Sequence, residues 1–123
     1  MSEGEIEGVA EGGPSLAVLH DLDLLVQEYA APAGRRRLKR LGLPIDGVER
    51  LTGMRAQLAA AIEPRWLMPY ERARARYGRG MAAVRGHTCT GCYVRLPATA
   101  RSRAAADLDP PLCPGCGRVL LWT

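Results

Sequence analysis

The stretch that decides the fold runs from residue 89 to residue 116 and reads CTGCYVRLPATARSRAAADLDPPLCPGC. It contains all four cysteines of the chain in two C-x2-C pairs, Cys89 with Cys92 and Cys113 with Cys116, separated by twenty residues. The short loop within each pair lets both sulfurs face one ion, at about 2.3 Å for zinc, and two such loops complete a tetrahedral coordination shell. The spacing therefore predicts one metal site, with a single structural Zn²⁺ as the preferred ion.

Other cysteine chemistries fit the sequence less well. A redox C-x2-C motif belongs with a βαβ pattern, which the flanking sequence lacks, and disulfides are rare in the cytoplasmic setting that we expect. An iron–sulfur centre also uses four cysteines, so the spacing alone leaves it open. His87 stands two residues before Cys89 and is a candidate substitute ligand, although a histidine in a surface loop is the simpler interpretation.

The residues around the cysteines predict short strands and one short helix. Apolar runs of β type follow each pair, at residues 93–96 and 118–122. A helix is expected over residues 98–107, between the two pairs. In the second loop, Gly115 and Gly117 permit the positive φ that a tight turn requires. This segment is too small for a hydrophobic core to stabilise it alone, so we expect the metal to hold it together.

Upstream of the cysteines, apolar residues recur in steps of three and four, the period of an amphipathic helix. A first helix is expected from Ser15, which is a candidate N-cap, and Pro32 predicts a kink or break. The turn at residues 42–44 ends the basic helical segment that follows. A second apolar stripe runs from residue 48 to residue 81, with a kink or break predicted near residues 63–69. Two such helices joined by a short turn predict an antiparallel hairpin.

These patterns predict a mainly α protein with a small zinc β-ribbon, in which an antiparallel, coiled-coil-like helical hairpin precedes a C-terminal four-cysteine zinc ribbon. The expected domains are a disordered acidic tail at residues 1–14, the hairpin at residues 15–82 and the ribbon at residues 83–123. No apolar run approaches the length of about 18 residues that suggests a membrane span, and the first residues lack a secretory signal. We therefore expect a cytoplasmic protein without membrane contact, either a monomer or a homodimer.

Charge is distributed unevenly along the chain. Residues 1–34 carry seven acidic and no basic residues, whereas residues 35–123 carry all seventeen basic residues, sixteen of them arginine, against six acidic ones. A GC-rich genome alone can produce this arginine content; the functional interpretation is binding of nucleic acid or of an acidic protein. The candidate nucleic-acid contacts are Arg85, Arg95, Arg101, Arg103 and Arg118. The candidate partner-binding residues at the hairpin tip are Arg36, Arg37, Lys39 and Arg40.

We find no catalytic constellation in the sequence. His20 and His87 fall in different segments, and Ser15 and Ser102 lack the glycines of a nucleophile elbow. The run at residues 78–80 is too short for a phosphate-binding loop, and four cysteines would close the coordination shell that catalytic zinc keeps open. We expect a non-enzymatic protein, with a nuclease or hydrolase as the less favoured alternative.

Three motifs carry a resemblance to a known family: YERARARYGRG at residues 70–80, CTGCYVRLP at residues 89–97 and CPGCGRVL at residues 113–120. Together they resemble the bacterial C4-type zinc-ribbon family in which the ribbon follows a coiled-coil hairpin, here in a shortened form. The resemblance implies that the four cysteines bind zinc and that the protein is a nucleic-acid-binding or transcription-associated regulator. The alternative that it implies is a protein-interaction adaptor or chaperone, of the sigma-factor or secretion-system type, that uses the hairpin while zinc is purely structural.

Overall fold

The computed structural model describes residues 12–44 and 46–122. In this part the chain forms five helices: α1 Gly12–Ala30, α2 Pro32–Arg40, α3 Asp46–Ala61, α4 Pro64–Tyr77 and α5 Ala100–Ala106. Three short strands, β1 Met81–Arg85, β2 Thr88–Cys89 and β3 Val119–Trp122, form one sheet close to the cysteines. The protein is therefore mainly helical with a small C-terminal sheet, as the sequence predicts. Among the described helices, none combines the length and the apolar character that crossing a membrane requires.

Proline and glycine set the break between α1 and α2 and the end of α2, as predicted. Ala31 has extended backbone angles, φ −67° and ψ 152°, and Pro32 opens α2, where a missing N–H costs no helical hydrogen bond. At the other end Gly42 adopts φ +73°. The Gly42 N–H donates to the Lys39 carbonyl and the Leu43 N–H to the Leu38 carbonyl, which is the Schellman arrangement of a helix C-terminus.

The second predicted break is also present, but the helical stripe ends earlier than the sequence indicates. Ile62 and Glu63 separate α3 from α4, and Pro64 is the first residue of α4, while Pro69 lies inside it. Gly78 then ends α4 in a left-handed conformation, φ 87°. The extension of the helical stripe to Met81 is therefore wrong, because Met81 is the first residue of β1.

Two expectations for the N-terminal region change. Helix α1 begins at Gly12, so Ser15 lies inside the helix and is not its N-cap. Of the predicted disordered tail at residues 1–14, residues 1–11 lie outside the described part of the chain. Residues 12–14 are helical, so the prediction is wrong for these three.

Strand β1 is the centre of the sheet, antiparallel to β2 on one side and parallel to β3 on the other. The register pairs Val84 with Cys89 and Arg85 with Thr88 in the antiparallel pair, and Met81 with Val119 and Val84 with Trp122 in the parallel pair. The predicted strand at residues 118–122 is present as β3. The predicted strand at residues 93–96 reduces to a single bridge between Arg95 and Thr88, and the predicted helix at residues 98–107 is present as α5.

The chain divides into two compact units, Val18–Ala61, which we call the helical unit, and residues 12–17 with 62–122, which we call the cysteine unit. The helical unit buries Leu19, Leu38, Val48 and Ala59. It also buries Asp23, whose carboxylate accepts two hydrogen bonds from the Arg55 guanidinium at 2.7 and 3.2 Å. This ion pair compensates a charge that would be costly to bury alone. The predicted domain boundaries and the antiparallel pairing of the helices stay predictions.

The cysteine unit has a core that includes two of the cysteines. Ala82 and Val84 of β1 and Leu120 of β3 pack with Cys89, Leu96 and Cys113, and Val94, Ala100, Cys116 and Trp122 lie against this cluster. Tyr70 of α4 is fully buried beside β1, where a Cβ at Gly80 would overlap its ring. The sheet and the cysteines therefore share one small apolar core, and helix α4 contacts the sheet at β1.

Candidate metal centre

The four predicted cysteines come together at the edge of the sheet. Their Sγ atoms all lie within 4.8 Å of one another, with 3.6 Å between Cys92 and Cys113 and 4.0 Å between Cys89 and Cys116. A disulfide needs about 2.05 Å, whereas four thiolates at about 2.3 Å from one tetrahedral ion lie about 3.8 Å apart. The cysteines are thus spaced as ligands of a single ion.

The first Cys loop, Cys89–Tyr93, has its ends joined by backbone hydrogen bonds. The Tyr93 N–H donates to the Cys89 carbonyl at 2.7 Å, and the Cys89 N–H donates to the Val94 carbonyl at 3.0 Å. Inside the loop the Gly91 N–H points at the Cys89 sulfur at 3.4 Å, which stabilises a thiolate there. Thr90 connects the loop to β1, because its hydroxyl and its N–H both donate hydrogen bonds to the Ala83 carbonyl.

The second Cys loop, Cys113–Gly117, repeats the three bonds that join the ends of the first loop and reach its first sulfur, but it has no counterpart of the Thr90 bonds because Pro114 stands at that position. The Gly117 N–H donates to the Cys113 carbonyl at 2.8 Å, and the Cys113 N–H donates to the Arg118 carbonyl at 2.9 Å. The Gly115 N–H points at the Cys113 sulfur at 3.3 Å. Each loop therefore brings two sulfurs to the cysteine cluster and directs one amide N–H at the sulfur of its first cysteine.

The glycines of the second loop have different roles. The predicted positive φ is confirmed for Gly117, at 81°. It is wrong for Gly115, whose φ is not positive. A Cβ on Gly115 would come 3.1 Å from the Cys92 sulfur and 3.3 Å from Val94. A Cβ there would make the Cys92 sulfur or Val94 move by a few tenths of an ångström, so the close approach of the two loops favours glycine at this position.

Arg118 connects the site to the end of helix α4. Its Nε donates to the Arg79 carbonyl at 3.3 Å, and its guanidinium lies 4.3 Å from the centre of the Tyr77 ring, a cation–π distance. The side chain also lies against Gly91, where an added Cβ would come 2.6 Å from Nη1. The sequence suggested Arg118 only as a nucleic-acid contact and missed this supporting position, which follows from no local motif.

The surroundings shift the pKa values of the two thiols in the second loop in opposite directions. Burial raises the pKa of the Cys113 thiol to about 12, against the smaller opposing effect of backbone hydrogen bonds at Cys116 and Gly115. Burial acts in the same direction on Cys116, but hydrogen bonds from the backbone and side chain of Arg118 outweigh it and, with the neighbouring thiols, lower the pKa to about 7. Cys116 is thus ready to ionise near neutral pH, whereas a buried Cys113 thiolate needs a cation beside it.

Two of the predicted nucleic-acid contacts share one face of the sheet. Arg85 lies opposite Thr88 and Thr88 lies opposite Arg95, so the three residues stand in one cross-strand row. Both arginines are exposed. Val84 and Cys89 belong to the buried opposite face, because successive residues of a strand alternate between faces.

The remaining candidates are distributed over exposed helices. Arg101 and Arg103 are exposed on α5. Arg36, Arg37, Lys39 and Arg40 are exposed on α2, and Arg37 forms an ion pair with Glu28 at 2.6 Å. His87 lies in the β1–β2 turn, where its carbonyl accepts from the Leu96 N–H. Its ring is not part of the ligand cluster.

Known proteins resemble this chain over part of its sequence and in its fold. No protein-family model matches the chain. The chain is 35% identical over 72 residues to the uncharacterized proteins MT2288 and Rv2229c of two Mycobacterium tuberculosis strains, a match that covers 57% of this chain and 29% of each relative. The matched stretch thus spans less than a third of those relatives.

Two solved structures have a similar fold. One is the HP0958 protein from Helicobacter pylori, with a TM-score of 0.56 and 22% identity over 74% of this chain and 38% of that one. The other is CT398 from Chlamydia trachomatis, with a TM-score of 0.53 and 21% identity over 78% of this chain and 42% of that one.

Proposed function

We propose that the protein is a non-enzymatic zinc-binding regulator that contacts nucleic acid through the cysteine unit. The observation that carries the proposal is the cross-strand row of Arg85, Thr88 and Arg95, whose two arginines are exposed while the neighbouring Val84 and Cys89 lie in the core that the cysteines share. Zinc is the ion that we assign, with a structural role. This assignment is supported by four thiol ligands around one point, which leave no coordination position for a substrate.

The sulfur spacing favours a single ion over an iron–sulfur cluster. A cluster of several irons and sulfides occupies the space between its four cysteines and separates their sulfurs further than one ion does. Here no pair of Sγ atoms is more than 4.8 Å apart. Zinc in such a site also contributes to folding, which suits a cysteine unit with so small a core.

The row of side chains suits a sugar–phosphate backbone. Adjacent strands lie about 4.8 Å apart, so the backbones at Arg85 and Arg95 are separated by about 10 Å with Thr88 between them. Guanidinium groups on long stems can each reach a phosphate oxygen, and the Thr88 hydroxyl can donate a further hydrogen bond. These are contacts to the backbone, so we expect little sequence preference.

Replacing Arg85 and Arg95 together by glutamine tests the proposal. We expect the double variant to bind fluorescein-labelled oligo(U) RNA and duplex DNA more weakly, and the slope of log affinity against log salt to fall by about 1.5 to 2, because two phosphate contacts are lost. The matched control replaces Arg50 and Arg72, two exposed arginines elsewhere, by glutamine. Zinc content, measured in every variant, reports on folding.

Two results would contradict this function. One is unchanged binding by the Arg85/Arg95 variant. The other is that the wild-type protein binds neither probe at about 50 mM salt, where phosphate contacts are strong. Zinc content is measured separately, so a failure of nucleic-acid binding would contradict the nucleic-acid role and not the assignment of zinc. Sigma-factor and secretion roles stay predictions.

A further inference from the structure

Tyr93, the last residue of the first Cys loop, has a backbone conformation that a tyrosine seldom adopts. Its φ is 64°, and it is the one residue other than glycine with a positive φ in the part of the chain that the structure describes. A residue with a Cβ is disfavoured in this left-handed region, whereas glycine adopts it freely. Gly117 closes the second loop at φ 81°, so closing such a loop does not require an aromatic side chain.

The Tyr93 ring has no role inside the protein that would explain its presence. It is 75% exposed, and within residues 12–44 and 46–122 its side chain forms no hydrogen bond and no ring contact. The other exposed tyrosine of the cysteine unit, Tyr77, differs because the Arg118 guanidinium lies over its ring. Backbone strain without structural compensation is typical of binding sites, which directs attention to what the ring could contact from the surface.

Tyr93 lies next to the cross-strand row that the proposed function assigns to phosphates. Along residues 93–96 the side chains alternate between surface and core. Val94 packs against the core and Leu96 is buried, whereas Tyr93 and Arg95 are exposed. Two residues of chain span at most about 7 Å, so the aromatic ring and the Arg95 guanidinium belong to one continuous patch of surface.

We propose that Tyr93 is a stacking platform for an unpaired base of single-stranded nucleic acid, while the cross-strand row contacts the adjoining phosphates. The inference rests on the proposed function and adds the class of nucleic acid to it. In a duplex the base faces are covered by neighbouring base pairs, so only a base of a single strand can lie flat on the ring. Cations that follow the backbone, combined with an aromatic ring for the bases, are the features of single-strand binding sites.

Removing the ring with Tyr93→Ala is the central experiment, because alanine keeps the Cβ and only the ring is lost. The zinc-loaded full chain is titrated into fluorescein-labelled oligo(dT) and oligo(U) of about 12 nucleotides. Duplex DNA of the same length and an abasic oligomer, which has the phosphates but no bases, are the comparison probes. We expect a loss of about 5- to 150-fold for both single strands and less than about twofold for the duplex and the abasic oligomer. The slope of log affinity against log salt should not change, because no charge is removed.

Two further variants separate stacking from a general effect on the surface. Tyr93→Phe keeps the ring without the hydroxyl and should bind single strands within about twofold of the wild type. Leu108→Ala removes another exposed apolar side chain of the cysteine unit, 65% exposed, and should bind all probes like the wild type. Zinc content and circular dichroism report on folding in each variant. Tighter binding of oligo(U) or of oligo(dT) identifies RNA or DNA as the preferred strand.

Three results would overturn the stacking role: unchanged affinity of Tyr93→Ala for both single strands, an equal loss for the duplex or the abasic oligomer, or a Tyr93→Phe variant as weak as Tyr93→Ala. If the Arg85/Arg95 variant is nevertheless weakened, the proposed function stands without Tyr93. A wild-type protein that binds none of the probes overturns both proposals.

Discussion

The first Cys loop and the second Cys loop share the two backbone hydrogen bonds that join their ends and one amide–sulfur hydrogen bond, but they have different residues at their last position. Both close with an N–H donated to the carbonyl of the first cysteine, and both place that last residue in the left-handed region, Tyr93 at φ 64° and Gly117 at φ 81°. Glycine adopts this conformation freely, whereas a residue with a Cβ loses about 1–2 kcal/mol there. Tyr93 is 75% exposed, so burial of its ring offers little compensation.

The difference indicates what imposes the loop geometry. If local preference alone shaped the loops, a tyrosine would not take the place of a glycine. Cysteines that bind one ion from both loops impose the same backbone path on each, whatever residue closes it. The following predictions test this comparison between the loops, beginning with the largest expected effect.

Removing a ligand from either loop should have the same, largest effect. Cys92→Ser and Cys113→Ser are each expected to leave less than half an equivalent of zinc, although Cys92 is exposed and Cys113 buried. Structural zinc contributes about 10–16 kcal/mol in finger peptides, so the sheet should unfold while the helical unit stays helical. Elemental analysis and circular dichroism measure both outcomes. A full equivalent of zinc in either variant, or iron in the wild type, would contradict the assignment.

Loss of the arginine next to the second loop should weaken the site without abolishing it. Removing an outer-shell partner costs about 10–100-fold in metal affinity, and we expect a loss in this range for Arg118→Ala in a chelator competition. Arg118 lowers the pKa of Cys116, so in the variant that pKa rises and protons compete with the metal up to a higher pH. The pH of half-release should therefore increase. Arg95→Ala removes an equal but exposed charge, and an equal effect there would argue against a specific contact.

A Cβ at the closing position of the second loop should destabilise it by about 1–2 kcal/mol. Nothing lies within 4 Å of the Cβ position at Gly117, so the cost of Gly117→Ala is purely conformational. The midpoint of urea unfolding of the zinc-loaded protein measures it. Gly53→Ala, in helix α3, should instead stabilise by a few tenths to about 1 kcal/mol. Destabilisation by both variants would point to a general intolerance of glycine replacement.

The reciprocal change in the first loop should stabilise the protein slightly. Tyr93→Gly relieves about 1–2 kcal/mol of backbone strain, and the added freedom of the unfolded chain removes about 0.4–1 kcal/mol of that gain. Tyr93→Ala keeps the Cβ and is expected to give no gain in the same unfolding measurement. If alanine and glycine stabilise equally, the tyrosine ring and not its backbone conformation is the source of the strain.

Some elements were predictable because neighbouring residues decide them. The separation of α1 from α2 follows from Pro32, and the end of α2 follows from Gly42. Strand β3 follows from an apolar run after the second cysteine pair. Strand β1 was missed because Met81 continues the three- and four-residue steps of the preceding helix, although Gly78 and Gly80 stand between them.

The sequence by itself determined which four residues can meet at one point, because C-x2-C spacing directs two sulfurs to the same side within a few bonds of backbone. Tertiary structure decided the rest of the site. The parallel pairing of β1 with β3, the place of Arg118 against Tyr77 and the row from Arg85 to Arg95 join residues that local chemistry does not relate. Their contacts depend on strand register and on the closing of loops around the cysteines, which arise only when the whole cysteine unit packs.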